Sequence, residues 1–572
     1  MKRYYSILFI ALFSFCMSYA AIITPTNCVR QSNPYALRNM QAVYDTYDNN
    51  TTLLPTHLYV KFAPSDTLQY KRLIEDSNLE LFDYPMDIIL NDTDVYVETN
   101  LPSGVIAWLY ATVQINYEFP LDVNVQIIDT CYIPLDDESI VVTKSGGSIN
   151  VEDEAFIRLG YSIDDDPSTR SVARVRPHGI IQFDDGNGNA YPVKGIKIRC
   201  HNFVKWETTT TDSLGCYYFT KKYITNVHYS AIFDNIKGFE IWDNIGPFDH
   251  AKYNLGWHSK NGYDVTFYNN SKAWTWCVIN DAACNYYEMC TAEGISLPPS
   301  ELKILEMGWV NAASTPMLSK VYNNIGLDID KQWFSIHANL VMNPDSVSFL
   351  NAIRYFLPDI TIGTKSKDME TIFEFVFHEL SHASHFSSVG SPYWSQYIKY
   401  IVDNWGYGDG TAPNHELCGI GEMWGYSMGY YYFYKHFEHL SRYCNNPKQG
   451  WINWQILDVL QRDLSLSKRD LFDLLTGETR TYEILCDFLV REKPDSRSLI
   501  RKLFYDGNLL GTDGNYLDYL ITNSETIENS MVVFDGVEID NNSDICVRVR
   551  DGFYVEKGFE VNIGSSVRVV SQ

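Results

Sequence analysis

The sequence predicts an α+β protein of several domains, and three observations support that fold class. The chain has 572 residues, which is too long for a single hydrophobic core. Its hydrophobic fraction of 45% with 20% charged residues is typical of chains that fold over most of their length. Its hydrophobic pattern changes from mixed to alternating, then to helical, and finally back to alternating. We expect a small N-terminal α/β unit over 21–145, a β-sandwich over 150–245, a mostly helical domain over 250–520 and a small C-terminal β module over 525–572.

The segment 1–20 is typical of a secretory signal peptide. Lys2 and Arg3 precede an apolar run that ends in the small residue Ala20, so we expect cleavage after Ala20 and export. Cys16 leaves a lipoprotein anchor open, although the bulky residues before it fit that alternative poorly. No later stretch reaches the roughly 18 apolar residues that a membrane helix needs. The sequence therefore predicts a secreted or cell-surface protein without a transmembrane helix.

The charge of the chain restricts its partners. Removal of 1–20 changes the formal net charge from −26 to −28, because two positive and no negative side chains are lost. Affinity for nucleic acid or anionic lipid depends on Lys and Arg, so such an acidic surface argues against both partners. An extracellular protein or glycoprotein is the expected partner, and the sequence assigns no oligomeric state.

The cysteines give little support for a structural metal site. Eleven remain after cleavage, and they form no CxxC pair and no Cys/His group with zinc-finger spacing. Export permits disulfides, and Cys277, Cys284 and Cys290 are close enough in sequence for one pair among them. The pairing stays open.

The N-terminal unit is predicted from three runs. We expect a polar lead-in over 21–55, a strand at LYVKFAP, a short helix at DTLQYKRLIED and a second strand at LELFDYPMDIIL. This unit could be an inhibitory prodomain that covers a functional site until it is cleaved. A spacer or docking role is equally compatible with the pattern.

The region 150–245 is predicted to be all-β. The runs GIIQF, GIKIRC, CYYFT and YSAIF alternate and are separated by turn clusters such as DDGNGN. The run from Thr211 to Phe219, TDSLGCYYF, resembles the TDxxGxYxF turn of carboxypeptidase-regulatory-like sandwiches. Gly215 stands where that turn requires a positive φ. The resemblance implies a spacer module without chemistry of its own.

The strongest functional motif is His378-Glu379-Leu380-Ser381-His382. Residues four apart share a face of a helix, so His378 and His382 can bind one metal ion with Glu379 beside it. This is the HExxH pattern of zinc hydrolases. The alternative is a pair of core histidines that are hydrogen-bonded to backbone or carboxylate groups.

A helix is predicted around the motif. Apolar residues recur at three- and four-residue spacing from Ile372 to Leu380. Ser366 or Asp368 is the expected cap, and Gly390 is the expected stop. Just upstream, SIHANLVM and DITIG are predicted strands, one of which could be an edge strand that holds an extended peptide.

A catalytic zinc ion takes three protein ligands and keeps a fourth position open. The extended pattern HExxHxxGxxH fails, because position 385 is His385 and position 388 is Ser388. We expect His385 to pack or to support a ligand.

A glutamate from a second helix is the other common third ligand. Glu422 lies 40 residues beyond His382, and Gly421, Gly425 and Gly429 beside it would let two helices approach closely. Glu416 remains the competing third ligand, although we expect it to precede the helix.

With these residues the chain resembles the gluzincin type of zinc metallopeptidase, over roughly residues 355–440. The resemblance implies a zincin-like catalytic domain in which His378, His382 and Glu422 bind Zn²⁺. It implies hydrolysis of peptide bonds, as an endopeptidase, by a zinc-bound water with Glu379 as general base. It also implies a Tyr or His that stabilises the oxyanion, which the sequence does not single out.

Two rival functions belong to other classes. Gly425-Tyr426-Ser427-Met428-Gly429 matches the GxSxG nucleophile elbow of serine hydrolases, but that elbow needs a strand before Ser427 and none is predicted. A cell-surface binding or adhesion protein with an inactive metal site would also suit the many aromatic residues, 41 Tyr, 29 Phe and 13 Trp.

The C-terminal module is predicted from alternating runs. MVVFDGVEID, DICVRVRDGFYVEKGFEVN and SSVRVV follow one another, with Gly552, Gly558 and Gly564 as expected turns. Their regular spacing indicates a small β stack, either an attachment module or a cap.

Overall fold

The computed structural model of this protein contains helices and sheets along most of the chain. It describes residues 22–47, 52–92, 94–99, 101–102, 105–135, 140–142, 148–163, 174–244, 250–337, 354, 357–438, 450–510, 515–517, 520–540 and 542–571. The predicted signal segment 1–20, with Cys16, lies outside these residues. Chain contacts divide the protein into two compact units, one of 1–287 with 299–376 and one of 288–298 with 377–572. The fold is therefore mixed α/β and multidomain, and the predicted 250–520 region is shared between the two units.

The described helices are, in order, α1 Leu37–Tyr47, α2 Thr67–Ile74, α3 Val151–Arg158, α4 Lys272–Glu293, α5 Leu318–Val321, α6 Leu327–His337, α7 Met369–Asp403, α8 His415–His436, α9 Gln455–Asp463, α10 Lys468–Asp473, α11 Tyr482–Glu492 and α12 Arg497–Asp506. The described strands are β1 Ile22–Ile23, β2 His57–Ala63, β3 Val95–Tyr96, β4 Leu109–Gln114, β5 Asn124–Cys131, β6 Ile140–Val142, β7 Ser148–Asn150, β8 His178–Asp184, β9 Ala190–Pro192, β10 Lys197–Asn202, β11 Lys205–Thr210, β12 Cys216–Tyr218, β13 Val227–Ile232, β14 Asp234–Asn235, β15 Phe239–Trp242, β16 Lys252–His258, β17 Val265–Phe267, β18 Leu302–Met307, β19 Ala313–Ser314, β20 Ile360–Gly363, β21 Asn515–Leu517, β22 Leu520–Ile521, β23 Glu525–Asp535, β24 Glu538–Ile539, β25 Asp544–Val555, β26 Glu560–Val561 and β27 Ser566–Ser571.

The N-terminal part of the first unit is built on the antiparallel sheet β4-β2-β5. The predicted strand at LYVKFAP is β2 and the predicted helix is α2, which Asp66 caps by accepting from the Gln69 N–H. The predicted strand over 79–90 was wrong: only isolated bridges occur, at Phe82 and Ile88. Its alternating side chains are buried, but Pro85 in its middle offers no N–H to a strand ladder.

The polar lead-in over 21–55 was also incorrect. It contains α1, whose residues Met40, Val43 and Tyr44 are buried. One hydrophobic cluster joins them to Phe203 and Ile224 of the following region, so the two predicted domains share a core. Such a shared core favours a structural role for the N-terminal segment over a removable prodomain.

A buried hydrogen bond supports the same conclusion. The Tyr35 hydroxyl of the N-terminal segment donates to the Glu152 carboxylate of the following region at 2.6 Å, and both side chains are buried. Loss of the N-terminal segment would therefore remove one of the donors that hold this buried carboxylate.

The four runs predicted as strands within 150–245 are β8, β10, β12 and β13, in the sheets β11-β10-β13-β16 and β12-β8-β17. The prediction that 150–245 is all-β was wrong at its start, where Asn150 caps helix α3, and each sheet takes one strand from beyond 245, β16 and β17. Gly215 has a φ of 76°, as the turn resemblance required. The Asp212 carboxylate accepts from the N–H groups of Leu214 and Cys216, which closes the turn. A Cβ at Gly215 would lie 2.4 Å from the Ile181 carbonyl oxygen, so this turn needs glycine.

A five-stranded sheet completes the first unit, in the order β14-β15-β18-β20-β19. The predicted DITIG strand is β20, but it pairs on both sides, with β18 and β19, and is not an edge strand. The predicted strand SIHANLVM was wrong over 335–337, which belong to α6; its remainder, 338–342, lies outside the described residues. Buried Ile329 and Trp333, four positions apart, give this segment a helical period instead.

Helices α7 to α12 lie between residues 369 and 506, within the 250–520 region that was predicted to be mostly helical. Asp368 caps α7 by accepting from the Thr371 N–H at 2.9 Å, whereas Ser366 does not act as the cap. Gly390 interrupts the helix with a φ of 75°, as predicted, and a second helical segment with Pro392 in its first turn follows at once.

The C-terminal residues form a stack of parallel strands. The sheets β21-β23-β25-β27 and β22-β24-β26 are parallel throughout, so each coil of chain lies on the one before. Gly558 and Gly564 lie at turns with positive φ, but the predicted turn at Gly552 was incorrect, because it lies within β25. This arrangement is a β stack of the solenoid type.

A candidate metal centre

Helix α7 brings His378 and His382 together on one face. Their Nε2 atoms are 3.1 Å apart, and the ring centroids are 4.7 Å apart. The side chain of His382 is 3% exposed and that of His378 is 15% exposed. The centre is therefore open to solvent on the side of His378.

Helix α8 supplies Glu422. Its Oε2 atom lies 3.4 Å from His378 Nε2 and 3.5 Å from His382 Nε2. We call His378, His382 and Glu422 the helix cluster; its three ligand atoms lie within 4.8 Å of one another. The structure thus brings together the three residues that the sequence proposed as ligands.

Two glycines of α8 make this approach possible. A Cβ at Gly425 would lie 2.7 Å from both Cε1 and Nε2 of His382, and one at Gly429 would lie 3.0 Å from the His378 Cα. A Cβ atom is essentially never found closer than 3.0 Å to another heavy atom, and a contact at 3.0 Å is tighter than most. Gly421 is different, because its Cβ would be 3.6 Å from Tyr397 Cζ, an ordinary contact.

Two tyrosines fix the orientation of the Glu422 carboxylate. The Tyr397 hydroxyl donates to Oε1, and the Tyr407 hydroxyl donates to Oε2 at 3.0 Å. Burial opposes the charge, but the attraction of His382 and hydrogen bonds to His378 and His382 hold the pKa of Glu422 well below its usual range. Glu422 is therefore an ionised, buried and oriented acceptor.

The helix cluster fits a zinc ion. Four ligands at about 2.0–2.1 Å around tetrahedral zinc lie about 3.3 Å from one another. The separations of 3.1, 3.4 and 3.5 Å between the three ligand atoms bracket that value. Two imidazoles and one carboxylate are also a donor set that catalytic zinc uses.

The open side of the helix cluster holds further polar groups. The Tyr407 and Tyr426 hydroxyls are 3.5 Å apart, and the Tyr426 ring contacts His378 at 4.5 Å between centroids. Burial, and next the charge of Glu422, raise the pKa of both phenols, with a smaller contribution from Glu379. Both hydroxyls therefore keep their protons at neutral pH and can donate hydrogen bonds.

The kink at Gly390 places two aromatic side chains beside His382. Because the second segment of α7 changes direction there, the ring centroid of Trp394 lies 6.1 Å and that of Tyr397 6.3 Å from the ring centroid of His382. A straight helix would carry both rings away from His382. The kink therefore supplies one of the two tyrosines that hold Glu422.

The competing third ligand, Glu416, is used elsewhere. It lies in the first turn of α8, not before the helix as predicted. Its Oε2 atom accepts from the Tyr482 N–H at 2.5 Å, at the start of α11. Glu416 thus joins two helices and is not part of the helix cluster.

His385 packs in the core. It is fully buried, with ring contacts to Tyr393 at 5.5 Å and Trp394 at 5.6 Å. Burial, and then the nearby His382, lower its pKa to about 3. It is a neutral packing residue, as expected.

Ser427 does not occupy a nucleophile elbow. It lies in the middle of α8, where no strand leads into it. Its hydroxyl donates to Asp458 at 2.7 Å and accepts from Lys468 at 2.9 Å. Lys468 also binds Asp458 at 3.0 Å, so the serine and the lysine are both hydrogen-bonded to one carboxylate.

The described residues contain a second group with similar donors, which we call the strand cluster. Asp234, Glu240 and His250 also bring three ligand atoms within 4.8 Å of one another. Here Lys197 lies 2.5 Å from Asp234 and the Trp242 indole N–H donates to Glu240 at 2.9 Å. The strand cluster could not be predicted from the sequence, because its members stand at no motif spacing.

Tyr397 and Tyr407 belong to the candidate site but could not be predicted from the sequence. Nothing in the spacing of 41 tyrosines distinguishes them.

Cys277, Cys284 and Cys290 form no disulfide with one another. Cys444 lies outside the described residues.

Comparisons of this chain with models of protein families, with curated proteins and with solved structures find no match.

Proposed function

We propose that this chain is an exported zinc metallopeptidase that cleaves bonds within extracellular proteins or glycoproteins. The observation that carries the proposal is the helix cluster, in which three ligand atoms lie within 4.8 Å of one another. The HExxH spacing of the two histidines supports it further. The gluzincin resemblance of the sequence agrees with the same donor set.

Glu379 is the proposed general base. It follows His378 directly, is 5% exposed, and its charge acts on Tyr407 and Tyr426. A carboxylate at this position can accept a proton from the attacking water and deliver it to the leaving amine.

Tyr426 is the candidate donor to the oxyanion, because the single Tyr407 proton is used in the hydrogen bond to Glu422. The Tyr426 ring contacts His378, on the open side of the helix cluster, and burial raises the pKa of its hydroxyl, which keeps its proton at neutral pH. Donors that are already oriented stabilise the charge that develops on a carbonyl oxygen.

His378, His382 and Glu422 would hold the zinc ion. When bound, zinc supplies a Lewis acid that polarises the peptide carbonyl and lowers the pKa of a water. Two neutral imidazoles and one carboxylate leave it a net positive charge for that purpose.

Export is part of the proposal and rests on the sequence of 1–20. Among the residues that the structure describes, no helix is long and apolar enough to cross a membrane.

The first experiment measures metal in the purified mature chain. We expect about one zinc per chain by elemental analysis, and none in His382→Ala. Glu416→Gln, which removes the other candidate acid of α8, should keep its zinc. Failure of the zinc-reconstituted wild type to hold metal would refute the proposal.

The second experiment replaces the general base. Glu379→Gln should keep its zinc while peptide hydrolysis falls by about 10²–10⁴-fold, the range typical of a general base. Activity at the wild-type level would refute the assigned role. Bound zinc without cleavage of any protein by the wild type would instead support the binding protein with an inactive metal site.

A further inference from the structure

A cavity of about 340 Å³ lies between α8, α9 and α10. Tyr430, Tyr434 and Trp454 form its aromatic part, and Gln455, Asp458 and Gln461 are among its polar lining residues. Its volume is near the lower end of the range of about 300–1,000 Å³ for small-molecule sites. The cavity suits one or two rings and not a long chain.

Tyr426 connects the aromatic part of the cavity to the helix cluster. The ring centroids of Tyr426 and Tyr430 are 6.2 Å apart, and Tyr426 itself contacts His378. Tyr430 also packs against Trp454, at 5.0 Å. An extended peptide advances about 3.3–3.6 Å per residue, so the Tyr430 side of the cavity is about two residues of extended substrate away from Tyr426.

The polar part offers groups that have spare hydrogen-bonding capacity. Within the described part of the chain, the half-buried side-chain amides of Gln455 and Gln461 make no hydrogen bond. Asp458 uses only its Oδ1 atom, towards Ser427 and Lys468, and its side chain is 44% exposed. Two amides and one carboxylate oxygen are thus available to hydroxyl groups.

The charge of the cavity selects a neutral ligand. Lys468 is 2% exposed and lies 3.0 Å from Asp458, so the one cation and the one anion of the lining compensate each other. The chain as a whole carries a formal charge of −26, which disfavours anionic ligands further. A sulfated or sialylated group is therefore a poor occupant.

We propose that this cavity binds one or two neutral sugar rings of a glycosylated substrate, about two residues from the bond that is cleaved. A sugar ring has an apolar C–H face for Tyr430, Tyr434 and Trp454, and hydroxyls for the amides and the carboxylate. This inference rests on the proposed peptidase function, since it assigns the substrate class of the same site.

An aromatic peptide side chain is the competing occupant. It would fill the aromatic part but would cover Gln455, Asp458 and Gln461 without satisfying them. Each buried polar group left without a partner costs about 1–3 kcal/mol. The unpaired amides therefore favour the sugar.

Sugar binding is tested on the full mature chain without any peptide. Calorimetric titration uses lactose, N-acetylgalactosamine and N,N′-diacetylchitobiose as probes. We expect at least one to bind, and the double variant Gln455→Ala/Gln461→Ala to lose at least about tenfold in affinity, or 1.4 kcal/mol. Arg462→Ala, on the outer side of α9, is the matched control and should bind as the wild type does. Binding of none of the probes at their solubility limit would overturn the proposal.

Substrate choice is tested with paired peptides that differ only in one O-linked N-acetylgalactosamine, two residues from the cleaved bond. We expect the glycopeptide to have a kcat/KM about tenfold higher, mainly through KM, and the ratio to fall to about one in the double variant. Equal cleavage of both peptides by the wild type would overturn the proposal. So would a preference for Tyr or Phe at that position that survives in the double variant.

The peptidase proposal and the sugar-binding proposal can be refuted independently of each other. Absence of zinc and of cleavage would refute the peptidase, while the titration still decides whether the cavity binds sugars. Cleavage without sugar binding would refute the cavity's role and leave the peptidase standing.

Discussion

The helix cluster and the strand cluster contain similar donors in different charge surroundings. In the strand cluster, Lys197 lies 2.5 Å from Asp234, and Glu240 lies 3.2 Å from His250. In the helix cluster, Glu422 accepts from two tyrosine hydroxyls, and no lysine or arginine within the described ranges is paired with it. Lys197 therefore balances a negative charge of the strand cluster, whereas the negative charge of Glu422 in the helix cluster remains available to a metal cation.

The comparison teaches that proximity of ligand atoms does not identify a metal site. Both groups meet the same distance of 4.8 Å. The two clusters differ in the group that pairs with a carboxylate. In the strand cluster this group is the Lys197 ammonium, whereas in the helix cluster two neutral phenols donate to Glu422. A metal must displace Lys197 to enter the strand cluster, and it displaces no cation at Glu422.

The largest expected difference is in zinc content. Glu422→Gln should abolish bound zinc, with a loss in affinity above the roughly 100-fold that a missing supporting hydrogen bond costs. Glu240→Gln should leave the zinc content unchanged. Elemental analysis of both variants checks this, and loss of zinc from the second variant would show that the strand cluster binds the metal.

The second-largest expected effect is on zinc affinity, through the two tyrosine hydroxyls that hold Glu422. Tyr397→Phe and Tyr407→Phe should each weaken zinc affinity by about 10–100-fold, because each removes a hydrogen bond that orients Glu422. Tyr400→Phe is the matched control, since its hydroxyl donates to the Tyr407 carbonyl and not to Glu422. Competition with a chromogenic chelator measures the three affinities. Equal affinities in all three would show that the phenols do not position the carboxylate.

The glycines of α8 test whether close helix approach builds the helix cluster. Gly425→Ala should destabilise the second unit by about 1–3 kcal/mol, since its Cβ would overlap His382. Gly421→Ala meets only ordinary contacts and should change stability little. Denaturant unfolding of the metal-free variants compares them, and similar midpoints would contradict the role of Gly425.

The smallest effect concerns pH at the strand cluster. Burial lowers the pKa of His250, but the charge of Glu240, its hydrogen bond to the ring and the charge of Asp234 together outweigh burial and raise that pKa above 6.5. The Glu240 pKa is lowered to about 2, against burial, chiefly by His250. The histidine's contribution is therefore complete below about pH 6.5 and is lost as pH rises through its raised pKa.

His250→Gln should therefore cost up to about 1 kcal/mol near pH 6 and less near pH 9, as for other partly exposed pairs. Denaturant unfolding at both pH values measures the difference. A cost that grows with pH would mean that His250 is not held as a cation.

Much of the candidate site could be predicted from local spacing. His378, Glu379 and His382 are placed by one helix, whose period is fixed by its own apolar residues. Glu422 was found through the glycines beside it, and two of those three glycines do contact the histidines closely. The identity of the group that Glu416 binds could not be predicted, since it depends on where α11 begins.

The errors in the predicted fold also arise because pairing depends on segments that are distant in the chain. The alternating run over 79–90 is buried as predicted, but pairing also needs an unbroken series of N–H groups, and Pro85 interrupts it. DITIG is a strand, yet its neighbours on both sides come from distant segments and decide that it is interior. The C-terminal runs are strands, but their parallel stacking follows from register between coils.

The sequence by itself determined the helix, the two candidate ligand histidines on it and the alternation of the strands, because these depend on residues a few positions apart. Only the tertiary structure decided which carboxylate approaches the histidines, which two tyrosines hold it, and which cluster is neutralised by a lysine. Those outcomes depend on contacts between segments that are distant in the chain, and the balance of charge at each site is set by those contacts.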